Sequence, residues 1–120
     1  MNTRKTGAVY EEKASRWLSE QGMEVLRKNF RCKQGEIDII GRHQGYLVFV
    51  EVKYRGTDKR GFPEEAVGIA KQKRICGAAD YFRVYNTGGS ELPVRYDVLA
   101  ISGEEIRWHQ DAFMHYGNNW

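Results

Sequence analysis

The strongest apolar signal in the chain is Leu47-Val48-Phe49-Val50, inside a run from 46 to 54. Successive strand side chains face opposite ways, so four apolar residues in a row leave no polar face. Such a strand belongs in the middle of a sheet with a layer over each face. Upstream, Ala14, Trp17 and Leu18 recur at helical spacing within 8–21, and Gly22 supplies a stop. Residues 23–30 and 35–41 read as strands, the second built on Ile37, Ile39 and Ile40. His43-Gln44-Gly45 then turns the chain into the central strand. A longer helix is expected over 64–85, where Lys71, Ile75, Ala78 and Phe82 share one face. After a loop at 86–93, strands are expected at 94–101 and 106–109. Helix, three strands, helix and two strands make an α/β fold around a mixed sheet.

At 120 residues the chain is expected to be a single domain, 1–120. No apolar run approaches the roughly 20 residues of a membrane span, and Met1–Gly7 lacks a signal-peptide core, so a cytoplasmic protein is expected. Cys32 and Cys76 are too few for a disulfide framework and lack zinc-ligand spacing, which suits buried, reduced thiols. His43, His109 and His115 show no metal spacing and are expected at the surface or in turns. The net charge of +3 conceals an alternation: +4 over 1–34, −2 over 35–52, +4 over 53–75 and −3 beyond. Two basic segments thus flank a short acidic one. Basic segments suit a phosphate backbone and isolated acids suit a divalent cation, although solvated faces have the same composition.

Strand alternation singles out particular acids. Over 35–41, Glu36, Asp38 and Ile40 share one face and Ile37 and Ile39 the other. In the central strand, Glu51 and Lys53 share a face with Phe49. Glu51 directly follows the apolar tetrad, where an ionised carboxylate is costly unless it is paired or binds a cation. A hairpin turning at 42–45 brings Asp38 toward Glu51 and Lys53. Glu11 lies three residues before Ala14 and seven before Leu18, on the apolar stripe of the first helix. Glu11, Asp38, Glu51 and Lys53 are therefore the candidate cluster. Carboxylates with a nearby Lys suit a Mg²⁺ site for phosphodiester hydrolysis. A structural Glu51–Lys53 ion pair fits the same spacing.

The local sequence is more specific. "GEIDII" at Gly35–Ile40, followed by "VFVEVKYR" at Val48–Arg55, resembles the YraN family of small bacterial proteins. That family is assigned to the PD-(D/E)xK nuclease superfamily, close to archaeal Holliday junction resolvases. Asn29-Phe30-Arg31, a helix carrying Lys71 and Ile75, and Arg95-Tyr96-Asp97-Val98 extend the resemblance over most of the chain. The one departure is Ile37, where the superfamily often has Pro. The resemblance implies a restriction-endonuclease-like αβββαβ core, a central mixed sheet flanked by helices. Asp38 and Glu51, with the main-chain carbonyl of Val52, would hold Mg²⁺ or Mn²⁺. Lys53 would be the catalytic Lys and Glu11 the helix-borne acid of the resolvase branch. By analogy with resolvases, a two-fold homodimer is expected.

Arg55, Lys59 and Arg60, with Gly56 and Gly61, form a basic connector after the central strand and are expected to bind the nucleic-acid backbone. Lys71 either reaches the acid cluster or a phosphate, or snorkels to solvent. Arg95 and Asp97 are expected to form a structural pair, and Phe113 and Trp120 to pack or to mediate self-association. The function expected is metal-dependent endonucleolytic cleavage of DNA, branched or otherwise structured, in repair or recombination. The alternative is a nuclease-fold module that binds nucleic acid as a scaffold without cutting it.

Overall fold

A computed structural model of the chain describes residues 3–55, 67–86 and 91–116, without the side chains of 3–6 and 55. The elements are α1 (Thr3–Glu20), β1 (Glu24–Cys32), β2 (Gly35–His43), β3 (Tyr46–Arg55), α2 (Ile69–Tyr85), β4 (Val94–Ser102) and β5 (Glu105–Phe113). The five strands form one sheet in chain order, β1-β2-β3-β4-β5. β3 and β4 are parallel, joined by the crossover that contains α2, and the other neighbours are antiparallel. The α/β class, the mixed sheet and the αβββαβ order are as expected, with β5 added at the edge.

β3 sits in the centre with both faces covered. Val48, Val50 and Val52 join Ala14 and Leu18 of α1, while Leu47 and Phe49 join Ile75, Ala78 and Phe82 of α2. Val48 and Phe49 are each at most 1% exposed. Among the described residues no helix is long and apolar enough to cross a membrane. Cys76 is buried and Cys32 half-buried, and neither forms a disulfide.

The structure moves several boundaries. α1 begins at Thr3 rather than residue 8, since Gly7 costs a helix interior only about 1 kcal/mol. α2 begins at Ile69 rather than 64. Gly68 is its N-cap, with the extended backbone (ψ 154°) that a cap adopts, and 64–66 lie outside the described residues. β5 runs to Phe113 rather than 109. Its polar end hides the strand pattern, and a bulge opposite Asp97 breaks the register between Tyr96↔Phe113 and Val98↔His109. Phe113 packs by stacking on Tyr96, with ring centroids 5.0 Å apart, and Trp120 lies outside the described residues.

The face assignment in β2 also needs correction. Ile37 packs with Ile40 in the cluster under α2, whereas Ile39 belongs to the α1 cluster. Simple alternation therefore fails at Asp38. The flanking pairs Lys28↔Ile39 and Phe30↔Ile37 set Asn29 opposite Asp38, and Asn29 has φ 55°. Asn is one of the few residues that tolerate this left-handed backbone.

A buried polar network ties the outer strands together. The fully buried Asp97 carboxylate accepts hydrogen bonds from Arg95 Nε (3.0 Å) and Nη2 (2.9 Å), from Trp108 Nε1 (2.9 Å) and from the Asp111 N–H in the β5 bulge (2.9 Å). Arg95 and Asp97 thus form the structural pair expected. His43 is not a surface residue. It is 7% exposed, packs against Trp108, and its Nδ1 lies 2.9 Å from Arg95 Nη2. Arg95 has only donors, so His43 Nδ1 accepts and the ring is neutral. Burial and the Arg95 cation hold the imidazole below its ordinary pKa.

Asp97→Ala would leave Arg95 buried without its counter-charge. The expected loss is about 3–5 kcal/mol, read from the urea midpoint at constant slope; an unshifted midpoint would show that the network contributes nothing to stability.

Candidate active site

The site lies where β2 leaves β3. The antiparallel ladder between them ends at Ile39↔Val50. One step further, the Val52 N–H donates to Asp38 Oδ2 at 2.8 Å, so a side chain takes over from the ladder. The N–H and C=O of one strand residue point to the same side. The Val52 carbonyl therefore faces this cleft as well.

Glu51 precedes Val52 on β3 and faces α2, on the side opposite its neighbours Val50 and Val52. It is only 6% exposed. Its carboxyl group lies close enough to Asp38 to raise the pKa of that acid, and its Oε2 pairs with Lys71 Nζ from α2. Lys71 therefore does not simply snorkel: it reaches the acids from the second helix. Burial alone would lower its pKa, but the Glu51 pairing and the fields of Asp38 and Glu36 outweigh this and hold the ammonium above its ordinary value. Lys53 follows two residues after Glu51 on the same strand face, half-buried, in register with Ala100 of β4.

Asp38 is the most perturbed acid of the group. Burial, followed by the Glu51 carboxylate, pushes its pKa from 3.8 to about 8, against the smaller stabilisation from the Val52 N–H. Near neutral pH the protonated form of Asp38 is thus favoured. Glu11, half-buried on α1, is raised by burial first and then by Glu36 and Glu51, so the α1 acid shares the field of the cluster. Among the described residues no three His, Cys, Asp or Glu side chains converge on one metal-sized point. The close donors are the two carboxyl groups, and the Val52 carbonyl stands beside them. Hard oxygen donors of this kind fit a cation that keeps several waters.

The structure brings together Asp38, Glu51 and Lys71, with Lys53 on the same face and Glu11 within their electrostatic reach. Arg55 is described only as strand backbone, and Lys59 and Arg60 lie outside the described residues. Sequence reasoning passed over two residues. Glu36 ion-pairs with Arg31 at 3.2 Å and lines a groove with Lys71; a second acid two residues before Asp38 was the available signal. Arg74, one helical turn after Lys71, lines a groove with Arg31, Glu36 and Lys71; its i, i+3 spacing from Lys71 was the signal there.

Residues 10–101 match the model of a family described as "Uncharacterised protein family UPF0102". A "UPF0102 protein" of Lachnoclostridium phytofermentans is 48% identical over 98% of this chain and 100% of its own length. One from Saccharophagus degradans is 41% identical over 90% of this chain and 92% of its own. Another from Clostridioides difficile is 40% identical over 84% of this chain and 88% of its own.

The raised Asp38 pKa fixes the sign of a pH effect. The folded state retains a proton that the unfolded chain releases near pH 4, so stability falls as pH rises from about 4 to about 8. Asp38→Asn keeps an acceptor for Val52 and removes the titration. In metal-free buffer with chelator, its melting temperature should exceed that of the wild type at pH 8 and above and vary less with pH. A variant that melts below the wild type across that range would show that the pair is not strained.

Proposed function

Because the chain belongs to the UPF0102 family, whose shared name carries no activity, we propose its function from the site itself: metal-dependent endonucleolytic hydrolysis of DNA. The sequence resemblance to the PD-(D/E)xK superfamily supports this reading, and the substrate it favours is branched or otherwise structured DNA. The observation that carries it is the close Asp38–Glu51 carboxyl pair at the end of a buried strand, beside the Val52 backbone. Two acids forced together inside a fold are explained most directly by a cation that they share.

Asp38, Glu51 and the Val52 carbonyl would hold Mg²⁺ or Mn²⁺. The bound ion would polarise a phosphate oxygen and make a water more acidic. Lys53 would orient that water or neutralise charge on the phosphate. Lys71 would move from Glu51 to a phosphate oxygen as the cation and substrate enter. Glu11 would complete the acidic rim from α1. Arg55, Lys59 and Arg60 would hold the DNA backbone. One observation favours the alternative, a scaffold that binds without cutting: Lys71 already supplies Glu51 with a positive charge.

The test is a cleavage screen over linear, flapped and four-way DNA with Mg²⁺ or Mn²⁺, run beside a melting assay. Mn²⁺ should raise the melting temperature of the wild type and leave Asp38→Asn/Glu51→Gln unmoved. Lys53→Ala, shown to be folded by its melting curve, should abolish cleavage with DNA affinity retained, because its loss falls on the transition state. Cutting by folded Lys53→Ala at the wild-type rate would overturn the assignment. A wild type that binds every substrate and cuts none would establish the scaffold instead.

A further inference from the structure

Two grooves run end to end along α2, away from the acid pair. The first, about 350 Å³, lies between α2 and the β1–β2 turn and is lined by Arg31, Glu36, Lys71 and Arg74. The second, about 530 Å³, continues past Arg74 to Lys73, Tyr81 and Tyr85. Arg74 lines both. The track opens at Lys71, whose ammonium touches Glu51.

Its walls are held rigidly. A Cβ on Gly35 would meet the Arg74 carbonyl oxygen at 2.9 Å, and one on Gly77 would meet Gln34 Cβ at 3.2 Å. The start of β2 and the turn before it are therefore pressed onto α2 on both sides of Arg74. The cations along the track outnumber the acids. Of those acids, Glu36 is engaged by Arg31 and Asp80 by His115 at 3.3 Å. Among the described residues no carboxylate pairs with Arg74.

The far end is aromatic. Tyr81 and Tyr85 are one helical turn apart, with ring centroids separated by 4.5 Å, and Tyr81 also lies 6.3 Å from Phe30. Tyr81 is 37% and Tyr85 69% exposed. An exposed pair of rings at the end of a cationic groove is a stacking platform for bases, whose flat faces are free only when they are unpaired. Ten residues of helix separate Lys71 from Tyr81, about 15 Å. That spans roughly four stacked nucleotides at 3.4 Å each.

We propose that this groove binds a single-stranded DNA arm leading from the acid pair, with Arg74 and Arg31 on its phosphates and Tyr81 and Tyr85 stacked on its bases. The inference deepens the nuclease reading and rests on it for the direction of the track. It names the substrate class as DNA with an unpaired arm, and it explains why α2 carries its cations and its aromatic pair on one line.

The test is fluorescence anisotropy with a short fluorescein-labelled single strand and a blunt duplex of the same sequence, in chelator so that nothing is cut. The wild type should bind the single strand more tightly. Tyr81→Ala/Tyr85→Ala should weaken single-strand binding by about tenfold and leave the duplex unchanged, and Phe at both positions should restore it. Tyr85→Ala alone, at the more exposed position, reports the same loss in smaller measure if the double variant unfolds. Arg74→Gln should lower the slope of log affinity against log salt on the single strand by about 0.7. Equal binding of single strand and duplex, or unaltered single-strand binding in folded Tyr variants, would overturn the proposal. Discrimination without any cutting on addition of Mg²⁺ would support this groove and sink the nuclease reading. Cutting without discrimination would do the reverse.

Discussion

A strand buried on both faces must satisfy every N–H and C=O without water. β3 meets that demand with a parallel ladder to β4 from Leu47 to Arg55, but β2 covers its other side only as far as Ile39↔Val50. At Val52 the Asp38 carboxylate replaces the missing backbone partner. That substitution locates the cleft. Asp38 is drawn against β3, within reach of Glu51, and the backbone around Val52 is left open to an incoming group. The left-handed Asn29 opposite Asp38 accompanies the same break, as does the passage of Ile37 from one core cluster to the other.

Among the described residues, two carboxylate arrangements inside the fold have opposite characters. Asp97 is surrounded by donors: Arg95, the Trp108 indole and the Asp111 amide saturate it. Its charge is compensated in place, and it knits β4 to β5 while Arg95 reaches His43 at the end of β2. Asp38 meets one amide and another carboxyl group, and its compensation is incomplete. A saturated acid stabilises. An undersaturated pair stores repulsion that a cation can relieve, and such perturbed groups concentrate at functional sites.

The central strand, the order of elements along the chain and the approach of Asp38 to Glu51 were legible because they follow from local rules. Four apolar residues in a row fix a two-sided burial, and a short turn at 43–45 fixes the hairpin register. What escaped depends on relations between distant elements. Whether Lys71 meets Glu51 or solvent is decided by how far α2 lies from β3. His43 looked like a turn residue because its partners, Arg95 and Trp108, come from β4 and β5. Ile37 and Ile39 looked equivalent because period-two reasoning assumes an unbroken strand, and Asn29 is the sole local mark of the break. The far end of β5 carries polar residues whose strand state is set by pairing with β4 rather than by their own pattern.

The irregular edges of the sheet have a consequence for how copies of the chain meet. β1 carries an extra residue between Val25 and Arg27 and the left-handed Asn29, while β5 carries its bulge opposite Asp97 and the left-handed Asp111. A strand from another molecule laid along either rim would lose register within a few residues. β1 also displays Arg27, Lys28 and Arg31, whose like charges oppose a second copy of the same strand. Polymerisation by edge pairing is thereby discouraged by the shape and charge of the rims themselves.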